Sequence, residues 1–86
     1  MAEKNVQIKN PTGLHARPAS LLVAEANKFK SKVELRYGDK LVNARSVLSV
    51  LGAGIKSGAE VTIVAEGEDA QAAVDGLVQL IESFDE

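Results

Sequence analysis

Lys32-Val33-Glu34-Leu35-Arg36-Tyr37-Gly38-Asp39-Lys40-Leu41-Val42-Asn43 is the stretch that decides the fold. Val33, Leu35 and Tyr37 alternate with charged residues, so they share one face of an extended chain, and Gly38-Asp39 is the kind of two-residue loop that closes a tight hairpin. The segment predicts two antiparallel strands, residues 32–37 and 40–43. Working outward in both directions, the chain returns to helical spacing. On the N-terminal side Ala19, Leu22, Val23, Ala26 and Phe29 form one stripe of a first helix over 19–29, with Leu21 and Ala24 off that stripe. Before it, Val6 and Ile8 alternate with polar residues in an opening strand that Asn10-Pro11-Thr12-Gly13 interrupts.

On the C-terminal side Ser46 stands where an N-cap belongs, before the apolar Val47-Leu48-Ser49-Val50-Leu51, and Gly52 and Gly54 offer an exit from this short second helix. Lys56-Ser57-Gly58-Ala59 turns the chain into Glu60-Val61-Thr62-Ile63-Val64-Ala65-Glu66, a β-branched last strand with Val64 on its outward side. After Gly67, Asp69 is placed to cap a final helix in which Ala70, Ala73, Val74, Leu77, Ile81 and Phe84 recur at helical steps, weakened slightly by Gly76. The order βαββαβα predicts an α+β open-faced β-sandwich, a four-stranded antiparallel sheet with three helices packed on one face. A helical crossover from strand one to a parallel, non-adjacent strand two leaves a slot that the last strand can fill.

At 86 residues the chain is read as one domain, 1–86, with hydrophobic residues at 45% and charged residues at 26%. A net charge of -2 without a basic run argues against a nucleic-acid partner. With no cysteine and one histidine, neither disulfides nor thiolate metal sites arise, and no metal or other cofactor is expected. No stretch has the apolar length of a signal peptide core or a membrane span, so a cytoplasmic protein without membrane insertion is expected.

That single histidine lies in Gly13-Leu14-His15-Ala16-Arg17-Pro18-Ala19. Pro18 suits a first helical turn, so His15 sits at the start of the first helix, where backbone N–H groups and the positive end of the dipole attract anions. The guanidinium of Arg17 is shaped to grip phosphate oxygens. A neutral imidazole is a nucleophile, so the combination suggests a phosphoryl group carried on the ring. A general acid or second base has no evident place beside it, which suits a carrier that relies on its partners' catalytic groups.

This heptapeptide, Ser46 before a short apolar helix, the length and the βαββαβα order together resemble the HPr family, the histidine-containing phosphocarriers of the bacterial sugar phosphotransferase system. The resemblance covers essentially the whole chain. It implies that His15, through Nδ1, takes a phosphoryl group from enzyme I, itself charged by phosphoenolpyruvate, and passes it to the IIA domain of a sugar permease. Arg17 and the backbone of Ala16 and Arg17 would cradle the phosphate. Paralogues of the family that lack the histidine are set apart from this chain by His15.

In the family the serine matching Ser46 is also the target of a regulatory kinase, HPr kinase/phosphorylase, in many Gram-positive and some other bacteria, and a catabolite-control transcription regulator is a further partner. A phosphate there adds about -1.5 to -2 charge at a helix start, which the helix tolerates and an acidic partner surface does not. The chain departs from the kinase-regulated pattern at Leu48 and Leu51, where methionines are usual, at Ser49, which replaces a glycine, and at Arg45, which replaces a lysine. Partner contact is expected on Ala16, Ser20, Leu21, Ala24, Val47, Leu48 and Leu51, with a core role equally open for Val47 and Leu51. Two other readings remain: a regulatory adaptor like the nitrogen-branch relatives, and a small-molecule-sensing α+β domain, which no glycine-rich nucleotide fingerprint supports. A monomer is expected.

Overall fold

The computed structural model describes residues 1–85. The elements run β1 (Ala2–Gln7), α1 (Ala16–Ala26), β2 (Lys32–Tyr37), β3 (Lys40–Asn43), α2 (Val47–Gly52), β4 (Glu60–Glu66) and α3 (Ala70–Ser83). The sheet order is β1-β4-β2-β3, and every neighbouring pair is antiparallel, so β4 fills the slot between the parallel strands β1 and β2. Register follows the alternation: Leu35 pairs with Ile63 on one side and Val42 on the other, and Ala65 pairs with Ala2 and with Val33. Gly38, at φ 61, opens the hairpin turn between Tyr37 and Lys40.

One face of the sheet carries Val6, Val33, Leu35, Val42, Val61, Ile63 and Ala65, all buried. Helix α3 lies across β1, β4 and β2, α1 packs beside α3, and α2 joins α1 to β3. The helices close the core with Leu22, Val23, Ala26, Val50, Val74, Leu77 and Ile81. The other face of the sheet bears Lys32, Glu34, Arg36, Thr62 and Val64, with an Arg36–Glu3 pair at 3.4 Å and a Thr62 hydroxyl donating to Asn5 Oδ1 at 2.6 Å. Val64 is half-buried there. No helix among the described residues is long and apolar enough to cross a membrane.

The boundaries shift from the sequence reading at three places. Helix α1 begins at Ala16 and ends at Ala26, and Lys28 and Phe29 then bond back three residues to the carbonyls of Glu25 and Ala26, at 3.1 and 3.3 Å, so Phe29 lies beyond the helix while still packing on the core. Ile8 is buried just past β1, tied by its N–H to Ala59 O at 2.8 Å and by its carbonyl to the N–H of Gly58 at 2.6 Å. Asp69 holds the N-cap position of α3 but makes no side-chain cap bond.

The Asp69 carboxylate instead accepts from the N–H groups of Lys30 and Ser31, both at 2.9 Å, and from the Ser31 hydroxyl. The Ser31 hydroxyl foremost, and the Lys30 N–H next, hold its carboxyl below the usual carboxylate range. This latch joins the α1–β2 and β4–α3 loops at one end of the sheet. At Gly76 a Cβ would stand 3.3 Å from both Glu25 Oε2 and Phe29 Cζ, so the residue that costs α3 some helix propensity also lets α1 and α3 approach closely.

Candidate functional site

The histidine loop is built at the other end of the sheet. Gly13 N–H donates to Asn10 O at 3.1 Å, closing a turn over Pro11 and Thr12, and Leu14 N–H donates to Ile55 O at 3.0 Å. Gly13 adopts φ 65, and a Cβ there would lie 2.7 Å from Ile55 O and 2.8 Å from Lys56 Cα, so the residue must be glycine on both counts. Leu14 is buried, and the next residue, His15, is exposed.

His15 is the N-cap of α1, with extended backbone at φ -89 and ψ -164, and its side chain makes no cap hydrogen bond. Its own carbonyl receives the first helical bond, from Ala19 N–H at 2.8 Å. Between them stand Ala16 and Arg17, whose N–H groups belong to the first turn, and Pro18, which has none. The N–H groups of Ala16 and Arg17 therefore lie in the first turn of a helix whose N-cap is the exposed His15, with the exposed Arg17 side chain two residues on. An anion at this position meets donors and the positive end of an eleven-residue helix.

Ser46 caps α2 as the sequence predicts: its hydroxyl accepts from Ser49 N–H at 3.3 Å. The two departures beside it each form bonds that the usual residue could not form in the same way. Ser49 Oγ accepts from Asn43 N–H at 2.9 Å, tying α2 to the end of β3. Arg45 Nε donates to Asn27 Oδ1 at 2.9 Å and its Nη1 to Ser31 O at 3.3 Å, joining this corner to the end of α1.

Of the residues expected on a partner surface, Ala16, Ser20, Leu21, Ala24 and Leu48 are exposed, Leu48 by 82%. Val47 and Leu51 are half-buried and pack against the core while keeping part of their surface outside. Packing of α2 on α1 brings the elements that carry these residues together. The exposed apolar residues among them are Ala16, Leu21, Ala24 and Leu48. Sequence reasoning missed Leu41, 64% exposed on edge strand β3, and it missed the Arg45–Asn27 and Asp69–Ser31 bonds, whose partners lie 18 and 38 residues apart. Among the described residues no group of three or more His, Asp or Glu side chains is gathered to hold a metal ion.

A family model described as "PTS HPr component phosphorylation site" matches residues 2–83. The chain is 44% identical over 82 residues to the HPr-like protein Crh of Halalkalibacterium halodurans, covering 95% of this chain and 98% of that protein. The crystal structure of HPr-C-His from Thermoanaerobacter tengcongensis superimposes with a TM-score of 0.94 at 46% identity, covering 96% of this chain and 93% of that one. The HPr dimer from the same organism, at the same 46% identity and covering 96% and 95% of the two chains, gives 0.77. The sheet order, the histidine at the start of α1 and a family match over nearly the whole length agree, and the chain belongs to the HPr phosphocarrier family.

Proposed function

We propose that this chain is a phosphoryl shuttle of the phosphoenolpyruvate-dependent sugar phosphotransferase system, taking the group from enzyme I onto His15 and passing it to IIA domains of sugar permeases. The observation that carries this reading is the helix start at His15, where the N-cap side chain is exposed and makes no cap bond. In the forward step the Nδ1 lone pair bonds to phosphorus while the donor's bond to phosphorus breaks. In the onward step the Nδ1–phosphorus bond breaks as the acceptor attacks. Arg17 and the N–H groups of Ala16 and Arg17 hold the phosphate oxygens between the two steps. That hold has to be moderate, because each ~1.4 kcal/mol of extra grip shifts the onward equilibrium tenfold.

The chain works in this reading as a carrier without catalytic groups of its own, in the cytoplasm and as a monomer. Its partners dock on Ala16, Ser20, Leu21, Ala24, Val47, Leu48 and Leu51. Ser46 serves first as the cap of α2 and second as a regulatory phosphorylation site for an HPr kinase/phosphorylase, with a catabolite-control transcription regulator as reader. A phosphate on Ser46 would act through its charge at the partner surface rather than by unfolding α2.

The similarity to an HPr-like protein favours one second reading, a regulatory paralogue that is phosphorylated and signals by docking. Incubation with phosphoenolpyruvate and catalytic enzyme I, followed by addition of a sugar IIA domain, separates the two by intact mass. A shuttle gains one phosphoryl group and loses it to IIA. A paralogue gains it and keeps it, and a chain that gains nothing from several enzyme I sources is not a carrier.

A further inference from the structure

The peptide unit between Gly13 and Leu14 is held on both sides. Its N–H, that of Leu14, donates to Ile55 O at 3.0 Å. Its carbonyl, that of Gly13, accepts from the side-chain Nδ2 of Asn10 at 2.8 Å. Asn10 is only 3% exposed, one of two buried polar residues among those described, although it sits in a turn whose next two residues, Pro11 and Thr12, are exposed. Nδ2 also lies 3.5 Å from Thr12 Oγ1. A buried amide in a loop is costly unless it is bonded, and here its bond goes to the peptide that immediately precedes the histidine.

The consequence for His15 is geometric. With both ends of the 13–14 peptide fixed and the Leu14 side chain buried, the plane entering Leu14 cannot rotate, and only two soft backbone angles separate it from the amide of His15. On the far side the His15 carbonyl is fixed by Ala19 N–H. The imidazole has no cap bond of its own to set its direction, so its aim depends on the backbone that carries it.

We infer that Asn10 is a positioning residue for phosphoryl transfer: by anchoring the Gly13 carbonyl it aims the His15 ring at the incoming phosphorus. The inference rests on the carrier reading given above. The test compares Asn10→Ala, and the near-isosteric Asn10→Asp, which puts an acceptor where the donor was, with Val33→Ala. Val33 is buried at the opposite end of the strands from this loop, and its truncation lowers stability without touching the loop. Two quantities are read in each: the rate of phosphoryl receipt from enzyme I charged with phosphoenolpyruvate, resolved into kcat and KM, and amide hydrogen exchange at Leu14.

Both Asn10 variants are expected to lower kcat by roughly ten- to a hundredfold with KM little changed, as a misplaced nucleophile does, and to speed exchange at Leu14. Val33→Ala should leave kcat unaltered at a comparable loss of thermal midpoint. Equal slowing in Val33→Ala, an unchanged kcat in the Asn10 variants, or failure of both Asn10 variants to fold would each overturn the proposal. Should the wild type accept no phosphoryl group, the carrier reading falls by itself. Leu14 exchange and the His15 side-chain rotamer, read by NMR in wild type and Asn10→Ala, then decide whether Asn10 aims the ring: an unchanged rotamer population rejects it.

Discussion

Helices α1 and α2 both start from an extended residue, His15 at φ -89 and ψ -164, Ser46 at φ -127 and ψ 119. At Ser46 the hydroxyl accepts from the N–H of the third helical residue, Ser49, and Ser46 O accepts from Val50 N–H at 3.1 Å. At His15 the carbonyl bond to the fourth residue, Ala19, is the same, but the third helical residue is Pro18, which has no N–H to offer, and the side chain makes no cap bond. The short helix closes its own end. The longer one carries an exposed imidazole there. Helix α3 adds a third use of the same position, with the Asp69 carboxylate turned to the loop at Lys30 and Ser31.

The largest expected effect is at His15. In His15→Ser Pro18 offers the hydroxyl no third-residue donor and the Arg17 N–H is the one cap donor within its reach, so chemical denaturation should give a stability within about 1 kcal/mol of the wild type. Phosphoryl receipt should vanish altogether. A variant that still gains the group would move the acceptor elsewhere, and one that loses more than about 2 kcal/mol would make His15 a structural cap.

At α3 the prediction is one of pH. The folded pKa of Asp69 is depressed, so its contribution to stability is complete above the ordinary carboxylate value of 3.8 and is lost as pH falls below that value and through the lowered folded one. Asp69→Asn should be less stable than the wild type at neutral pH, and the gap should narrow in acid. A gap that stays constant from neutral to strongly acidic pH would assign the loss to packing instead of charge.

Ser46→Ala removes one cap bond and should cost about 1 kcal/mol, within the range of 0.5–2 found for such caps, whereas Ser46→Asp keeps a good cap and should cost less. Thermal or urea denaturation of the pair decides: equal losses would mean that the 3.3 Å bond to Ser49 contributes little. The smallest stability effect belongs to Leu48→Glu on the outer side of α2, within about 0.5 kcal/mol as for other exposed positions. Calorimetric titration against enzyme I should nevertheless show weaker binding, and undiminished binding would remove Leu48 from the partner surface.

Local pattern and chemistry made much of this molecule readable in advance. Residues 32–37 alternate strictly, 60–66 do so except at Val64, and these strands and 40–43 match the structure residue for residue. The crossover that leaves room for β4 follows from a helix too long for a hairpin connection. The position of His15 at a helix start was legible because Pro18 constrains the first turn. What the sequence hid are bonds between distant loops. Asp69 looks like any N-cap until Ser31 is brought beside it, Arg45 looks like a solvated charge until Asn27 and Ser31 O arrive, and Asn10 looks like an ordinary turn residue until the fold buries it and bonds its amide to the Gly13 carbonyl. Helical spacing likewise extends through Phe29, but three-residue bonds to Glu25 and Ala26 carbonyls end α1 earlier.

The most direct test of the central claim is 31P NMR of the wild type after incubation with phosphoenolpyruvate and catalytic enzyme I, beside His15→Ala. A single acid-labile resonance of an Nδ1-phosphoimidazole, absent from the variant and discharged when a sugar IIA domain is added, is the result expected. A phosphate resonance that survives acid, or one that persists in His15→Ala, would contradict the account.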